Sequence, residues 1–401
     1  MNPKSSILNT NPPSPKVDYL IIGAGFSGLV MAERLANECG AQCLIVEKRD
    51  HIGGNAQDEY DASGVLVHKY GPHYFRTNSP RIREYLSRFT EWHPVDYRIL
   101  SHTEGRYWNF PINLNTFEQF LGRGSTSEEF EAWLEEKRIP IENPANSEEV
   151  IISQVGWKLY EKFFKNYTIK QWKKHPRELD SSVCGRIPIR TNRDDRYLRE
   201  EFQALPKEGY HRMFERILES SPGVEVLLNT DYRDVVSTFP HDHLIYTGPI
   251  DEYFDYCFGP LPYRSLRFEN KSFGSGQLAD RESIAGKPGY WQPVMQVNYP
   301  NDEEYTRIVE IKHATGQTCA NTTIVREYPD DYAPGKEAYY PIPTPETAAL
   351  YKLYAEKAAE LSNVSFIGRL ATYRYYNMDQ VVGMALAEFE RLKQKCAGGK
   401  V

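Results

Sequence analysis

At 401 residues the chain is longer than one hydrophobic core usually serves, so two or three domains are expected. Hydrophobic residues make up 40% and charged residues 26%, an ordinary globular composition, and a net charge of −7 gives no reason to expect a nucleic-acid partner. No apolar run approaches the ~18 residues that span a bilayer, and the cysteines (Cys39, Cys43, Cys184, Cys257, Cys319, Cys396) form no Cys-x-x-Cys pair, which speaks against a zinc site or a disulfide framework and fits a reducing cytoplasm.

Met1 to Lys16 holds four prolines and no apolar h-region, so a disordered tail is expected and not a signal peptide. Val17 to Ile22 is a short apolar, β-branched run that predicts a buried parallel strand. Gly23-Ala24-Gly25-Phe26-Ser27-Gly28 follows at once, and Leu29, Met31, Ala32 and Leu35 then fall at helical spacing. The glycines suit a tight turn, a close approach to a pyrophosphate and close packing of helix on strand, with the helix N-terminus facing the phosphates. A second strand, Cys43 to Val46, ends in Glu47, about twenty residues beyond Gly28, where a ribose-binding acid is expected. This pattern predicts a dinucleotide site without separating NAD from FAD. Lys48 to Asn55, with Gly53-Gly54, resembles the second glycine pair of the large FAD-binding oxidase-like superfamily.

From Pro80 to Arg199 the chain reads as mainly helical, with helices at Phe117 to Leu121, Glu128 to Lys137 and Glu148 to Phe164. Leu205 to Tyr246 returns to strand and helix patterns. Between Tyr253 and Pro343, alternating stretches at Tyr290 to Tyr299, Thr306 to His313 and Thr322 to Tyr328 predict antiparallel strands. Near the end, Val364 to Ile367 reads as a strand, Gly368 permits close approach, and a helix starts at Met378-Asp379. In the FAD superfamily such a strand–turn–helix covers the flavin. The expected fold class is therefore α/β: a discontinuous Rossmann-like FAD-binding domain (17–80, 205–250, 345–395), an inserted helical domain (81–204) and an antiparallel β-sheet domain (251–344).

The 28 tyrosines suit pockets for polar rings, although a tyrosine-rich core is the plainer reading for most. Trp172 or Tyr167 would suit uracil, or simply the core. Arg186, in Ser182-Val183-Cys184-Gly185-Arg186-Ile187-Pro188, sits in an expected mobile loop, where an arginine is commonly just solvated. His241-Asp242-His243 reads as a loop before a strand, so no metal site is expected. The glutamates of 128–136 read as a solvated helix face, and Asn166-Tyr167-Thr168 is an incidental glycosylation sequon.

Several longer segments point one way. His68 to Thr77 (HKYGPHYFRT), Phe163 to Trp172 (FFKNYTIKQW), Phe202 to Tyr210, Tyr246 to Asp251 and Gly368 to Asp379 together resemble the bacterial UDP-galactopyranose mutases, over about Val17 to Arg391. The resemblance implies FAD, active when reduced and with NAD(P)H as its reductant, held by Gly23, Gly25, Phe26, Ser27, Gly28, Glu47, Lys48, Gly54, Asn55, His73, Gly368, Arg369, Met378 and Asp379. It implies a diphosphate clamp of Arg186 and Arg307, for which a planar guanidinium is suited. A uridine stretch follows from it at Phe163, Phe164, Tyr167, Thr168 and Trp172, phosphate-contacting Tyr197, Tyr340 and Tyr375, and further site positions at Asn298 and Glu327. His73, or the backbone beside it, would steer the flavin N5 proton, with a purely structural loop role as its alternative.

By the same resemblance the chain is an isomerase, a homo-oligomer in solution, that interconverts UDP-galactopyranose and UDP-galactofuranose through a covalent flavin N5–sugar iminium. Where many members carry a histidine, this chain has Arg76, which could donate to an acetamido carbonyl and admit UDP-N-acetylgalactosamine, or only pair with a carboxylate. Two alternatives stand beside this reading. An amine-oxidase-like FAD oxidoreductase would share both chain ends but lack the Trp172, Arg186 and Arg307 set. A non-catalytic nucleotide-sugar-binding protein would not need the flavin loop.

Overall fold

The computed structural model describes residues 16–333 and 335–398. The expected tail lies outside them except for Lys16, as does the side chain of Cys396. Five parallel strands form the first sheet, in the order Val224–Leu227, Cys43–Val46, Val17–Ile22, His241–Tyr246 and Val364–Phe366. Leu20, Ile21, Leu44 and Ile45 are wholly buried, as strands covered on both faces must be. On one face the helix Phe26–Cys39 packs against the C-terminal helix Met378–Gly398, so the two ends of the chain meet in one α/β unit. His241 to His243, expected as a loop, is instead the start of a strand, because His243 lies buried beside Ser365 and its Nε2 is 2.7 Å from the Ser365 hydroxyl.

The second sheet has seven strands: Tyr340–Pro341, Tyr263–Phe273, Thr322–Asp331, Arg307–Val309, Gln296–Asn298, Ile99–Thr103 and Arg106–Phe110. It is antiparallel except where Gln296–Asn298 runs parallel to Ile99–Thr103. Its longest strand, Tyr263–Phe273, had no sequence-based expectation, and the expected strands at 290–299 and 306–313 are shorter, at Gln296–Asn298 and Arg307–Val309.

The span read as mainly helical also holds strands Trp92–Pro94, Ile99–Thr103 and Arg106–Phe110. The last two form a hairpin through Glu104 (φ 54°) and Gly105 (φ 73°), both left-handed as a tight two-residue turn requires. The helices of this region include Pro80–Ser87, Leu114–Leu121 and Ser127–Lys137. The helix expected to run from 148 to 164 is interrupted: Ser147–Tyr160 breaks at Gly156 (φ 72°, ψ 177°), and a π-helical turn, Glu161–Lys165, leads into Asn166–Trp172. A Cβ at Gly156 would lie 2.2 Å from the carbonyl oxygen of Lys137, so this close approach requires glycine.

Candidate active site

The first sheet ends at a long groove lined by Gly23, Gly25, Phe26, Ser27, Glu47, Lys48, Gly54, Asn55, His73, Gly368, Arg369 and Met378, all expected cofactor positions. Its glycines are required by contact. A Cβ on Gly23 would sit 2.2 Å from Thr247 Oγ1, and one on Gly28 would sit 2.0 Å from the Gly23 carbonyl oxygen. Gly25 and Gly54 touch backbone to backbone, since a Cβ on Gly54 would fall 3.0 Å from Gly25 Cα. Helix Phe26–Cys39 starts at Gly25 without any side-chain cap, so its first-turn N–H groups are left to a ligand oxygen. Glu47 is buried at the groove's edge, its carboxylate accepting from the N–H of Ala24 at 2.9 Å and of Arg49 at 3.0 Å. An uncapped helix end, a side-chain-free floor and a fixed acid suit an adenine dinucleotide such as FAD. Of the expected cofactor residues, Gly28 packs beneath the loop and Asp379 lies half-buried at the last helix's start, so neither lines the groove.

A second cavity opens from the first, and Asn55, His73, Arg369 and Met378 line both. Its walls carry Arg76, Arg186, Tyr197, Arg307, Tyr340 and Tyr375, which lie far apart in the chain. Arg307 donates through Nη2 to Glu327 Oε2 at 2.7 Å, while Arg307 Nε and Glu327 Oε1 are buried with no partner. The Arg186 guanidinium stacks over the Tyr375 ring at 4.6 Å, and Arg369 stands 5.2 Å from the same ring. Among the described residues neither Arg186 nor Arg369 has an ion-pair partner. Burial acts to raise the Tyr375 hydroxyl, but Arg186 and Arg369 outweigh it and hold its pKa below the ordinary value. Burial, with Glu327 nearby, raises that of Tyr340. Two uncompensated guanidiniums ringed by phenols make a site for a dianionic group.

His73 stands where the two cavities join. Burial pushes its imidazole down to about 4, with Arg369 and Arg307 adding to the effect, so it is neutral at physiological pH. Its Nδ1 lies 2.8 Å from the Gly71 carbonyl, which can only accept. The proton therefore sits on Nδ1, and Nε2 keeps its lone pair.

The expected uridine residues are placed less directly. Phe163 and Phe164 are buried among Trp108 and Phe110, Thr168 is buried with its hydroxyl 3.5 Å from Cys184 Sγ, and none of the three lines the cavity. Trp172 is 5% exposed, its ring 6.0 Å from both Tyr340 and Tyr375, so it backs the cavity wall. Tyr167 is half-buried in the field of Arg307 and Glu327. Asn298 is buried and accepts from Gln296 Nε2 at 2.7 Å. Arg76 lines the cavity with its Nε donating to Glu200 Oε1 at 3.0 Å. Sequence reasoning missed Tyr74 and Tyr339 as lining residues. Each adjoins a residue it did single out, His73 and Tyr340, and adjacency was the available signal.

Comparison with known proteins agrees with this geometry. A family model described as UDP-galactopyranose mutase matches residues 162–375, and one described as an NAD(P)-binding Rossmann-like domain matches 21–89. A Klebsiella pneumoniae protein described as a probable UDP-galactopyranose mutase is 36% identical over 373 residues, covering 92% of this chain and 93% of that protein. This chain belongs to the UDP-galactopyranose mutase family. It is an enzyme, an isomerase by family. Other mutases extend the likeness: the dTDP-fucopyranose mutase of Escherichia coli is 32% identical over 92% of this chain and 96% of its own length. The UDP-galactopyranose mutase of Mycoplasma genitalium is 32% identical over 94% of each. Among solved structures, a reduced UDP-galactopyranose mutase superposes with a TM-score of 0.74 at 17% identity, over 96% of this chain and 94% of that one. A putrescine oxidase bound to putrescine superposes at 0.58 and 13% identity, over 95% and 100%, which shows that the fold is shared with amine oxidases. Among the described residues no helix is long and apolar enough to cross a membrane.

Proposed function

We propose that the chain interconverts UDP-galactopyranose and UDP-galactofuranose with FAD in the glycine-lined groove and the nucleotide sugar in the adjoining cavity. The observation that carries this reading is that a cavity walled by Arg186, Arg307 and six tyrosines opens onto the dinucleotide groove at His73. Reduced FAD, with NAD(P)H proposed as its reductant, would supply a nucleophilic nitrogen for the anomeric carbon. The chain's own residues then bind and orient. Arg186 and Arg307 take up the charge that builds on the diphosphate as UDP departs, and they keep UDP in place for its return. Arg307 lines the cavity while Glu327 holds its guanidinium in place through Nη2. Neutral His73 presents the Nε2 lone pair at the junction, where a proton must be held or passed.

Arg76 supports a broader substrate range that includes UDP-N-acetylgalactosamine, since it lines the cavity and the Glu200 hydrogen bond takes up only its Nε. The dTDP-fucopyranose mutase relative makes a deoxy sugar on a thymidine carrier the second substrate to try. The deciding experiment incubates dithionite-reduced protein with UDP-galactofuranose and follows the pyranose by chromatography. Oxidised protein should be inert, and one reduction should serve many turnovers. Consumption of one reductant per turnover would instead indicate an oxidoreductase, and protein that neither binds flavin nor turns over would indicate a nucleotide-sugar binder.

A further inference from the structure

The two peptide groups flanking His73 are each held by a buried residue, and neither of these residues lines either cavity. The His73 N–H donates to Nδ1 of His68 at 3.0 Å. The Tyr210 hydroxyl donates to the His73 carbonyl at 3.2 Å. The two gripping rings pack edge-on against each other, their centroids 5.6 Å apart. Behind them, Asp58 pairs with His68 across the hairpin of Asp58–Tyr60 and Leu66–His68. Its carboxylate also accepts from the N–H groups of Tyr210 at 2.6 Å and His211 at 2.8 Å. The hairpin, the helix Tyr210–Glu219 and the His73 loop thus form one closed frame.

The geometry points to His68 and Tyr210 as positioning residues that fix the two peptide planes flanking His73 and, with them, the direction of the His73 imidazole at the junction of the two cavities. Around His73 the loop has few restraints of its own. Gly71 has φ 84°, and Pro72 has no N–H to donate. A buried N–H or C=O without a partner is costly, so the two flanking peptides adopt the orientations that satisfy both groups. Those orientations go with His73 Nδ1 on the Gly71 carbonyl, which leaves the lone pair on Nε2 of a residue that lines both cavities. Because His68 accepts at Nδ1 from a backbone N–H, its own proton sits on Nε2. Burial keeps that ring neutral, pushing it down to about 3.

This inference rests on the mutase reading of the site, and the test separates the two. The full-length, FAD-loaded enzyme is reduced with dithionite and assayed with UDP-galactofuranose. His68→Phe and Tyr210→Phe should each lower kcat per bound FAD by about tenfold, with KM changed less than about twofold and FAD content unchanged. His68→Asn, whose Oδ1 can accept the same N–H, should recover kcat to within about threefold of the parent. Nitrogen-15 spectra of histidine-labelled protein, with His73 assigned by its loss in His73→Asn, read the tautomer without any turnover. The parent should show His73 protonated on Nδ1, and His68→Phe a mixture of tautomers. An inactive parent would refute the mutase reading and leave the spectra to judge this inference. An unchanged kcat and tautomer in both Phe variants would overturn it, as would equal losses in His68→Asn and His68→Phe. Should His68→Phe fail to fold, Tyr210→Phe, which removes one oxygen atom, decides by the same criteria.

Discussion

Arg307 and Glu327 are direct cross-strand partners, joined by a 2.7 Å hydrogen bond beneath the substrate cavity. The acid is wholly buried and the arginine partly so, yet one polar atom of each is left without a partner. A buried ion pair of this kind holds its guanidinium in one orientation while leaving donors for a ligand. Arg186 reaches the same cavity from a loop and is held by the Tyr375 ring instead of by a carboxylate.

That contrast separates the two clamp residues in stability but not in catalysis. Arg307→Ala and Arg186→Ala should each lower kcat by on the order of 10²-fold, with FAD content unchanged. Arg307→Ala should also cost about 3 kcal/mol of stability, because it strands the buried Glu327 charge. Arg186→Ala should leave the denaturation midpoint nearly where it was. Steady-state kinetics and urea unfolding check both, and a change confined to KM would reduce the arginines to uniform binding.

The glycine floor can be tested by flavin retention. Gly28→Val places a Cβ 2.0 Å from the Gly23 carbonyl oxygen and must push the first helix off the phosphate loop. We expect purified protein without the visible absorbance of flavin. Gly276→Ala, where a Cβ meets nothing within 4 Å, should bind FAD like the parent. Equal flavin content in the two variants would sink the assignment of this loop to the cofactor.

Acid should destabilise the fold through His68 and His73. Burial lowers His68 to about 3 and His73 to about 4, against 6.5 for the free side chain. Between pH 6.5 and those values the unfolded chain binds protons that the folded chain does not. Stability therefore falls as pH falls, by up to about 1.4 kcal/mol per pH unit for each histidine. Asp58, raised to about 6 by burial, acts in the opposite sense between 6 and 3.8. His51, also lowered by burial, adds to the two histidines, while Asp251 and Asp379, raised from 3.8, act with Asp58. The histidines titrate from 6.5 downward and dominate above about pH 5, so the denaturation midpoint should drop on going from about pH 6.5 to about pH 5, and His68→Asn should flatten that slope. A midpoint that is level or rises on acidification would contradict the neutral assignment of both rings.

The proposed substrate range is tested at Arg76. If its free donors reach an acetamido group, Arg76→His should lower kcat/KM for UDP-N-acetylgalactosamine relative to UDP-galactopyranose by about tenfold. A ratio constant within about twofold would mean that Arg76 serves only its ion pair with Glu200.

The sequence by itself determined the dinucleotide half of the protein. A buried strand, a glycine turn, an amphipathic helix and a terminal acid are local patterns, and each follows from short-range sterics and hydrogen bonding at Val17–Ile22, Gly23 to Gly28 and Glu47. It also named the family, because the long motifs around His73, Tyr167 and Tyr375 carry chemistry as well as shape. Tertiary structure decided what depends on distant partners. Ile99–Thr103 and Arg106–Phe110 join the large sheet because Gln296–Asn298 offers them an edge, and nothing within the hairpin's own sequence specifies that edge. Phe163, Phe164 and Trp172 look alike on paper as aromatic ligand residues. Only the packing of Trp108 and Phe110 against the first two, and of Tyr340 and Tyr375 against the third, sets them behind the cavity wall. Burial and neighbouring charge are properties of the assembled interior, so the neutral state of His73 and the pairing of Arg307 with Glu327 exist only once the chain has folded.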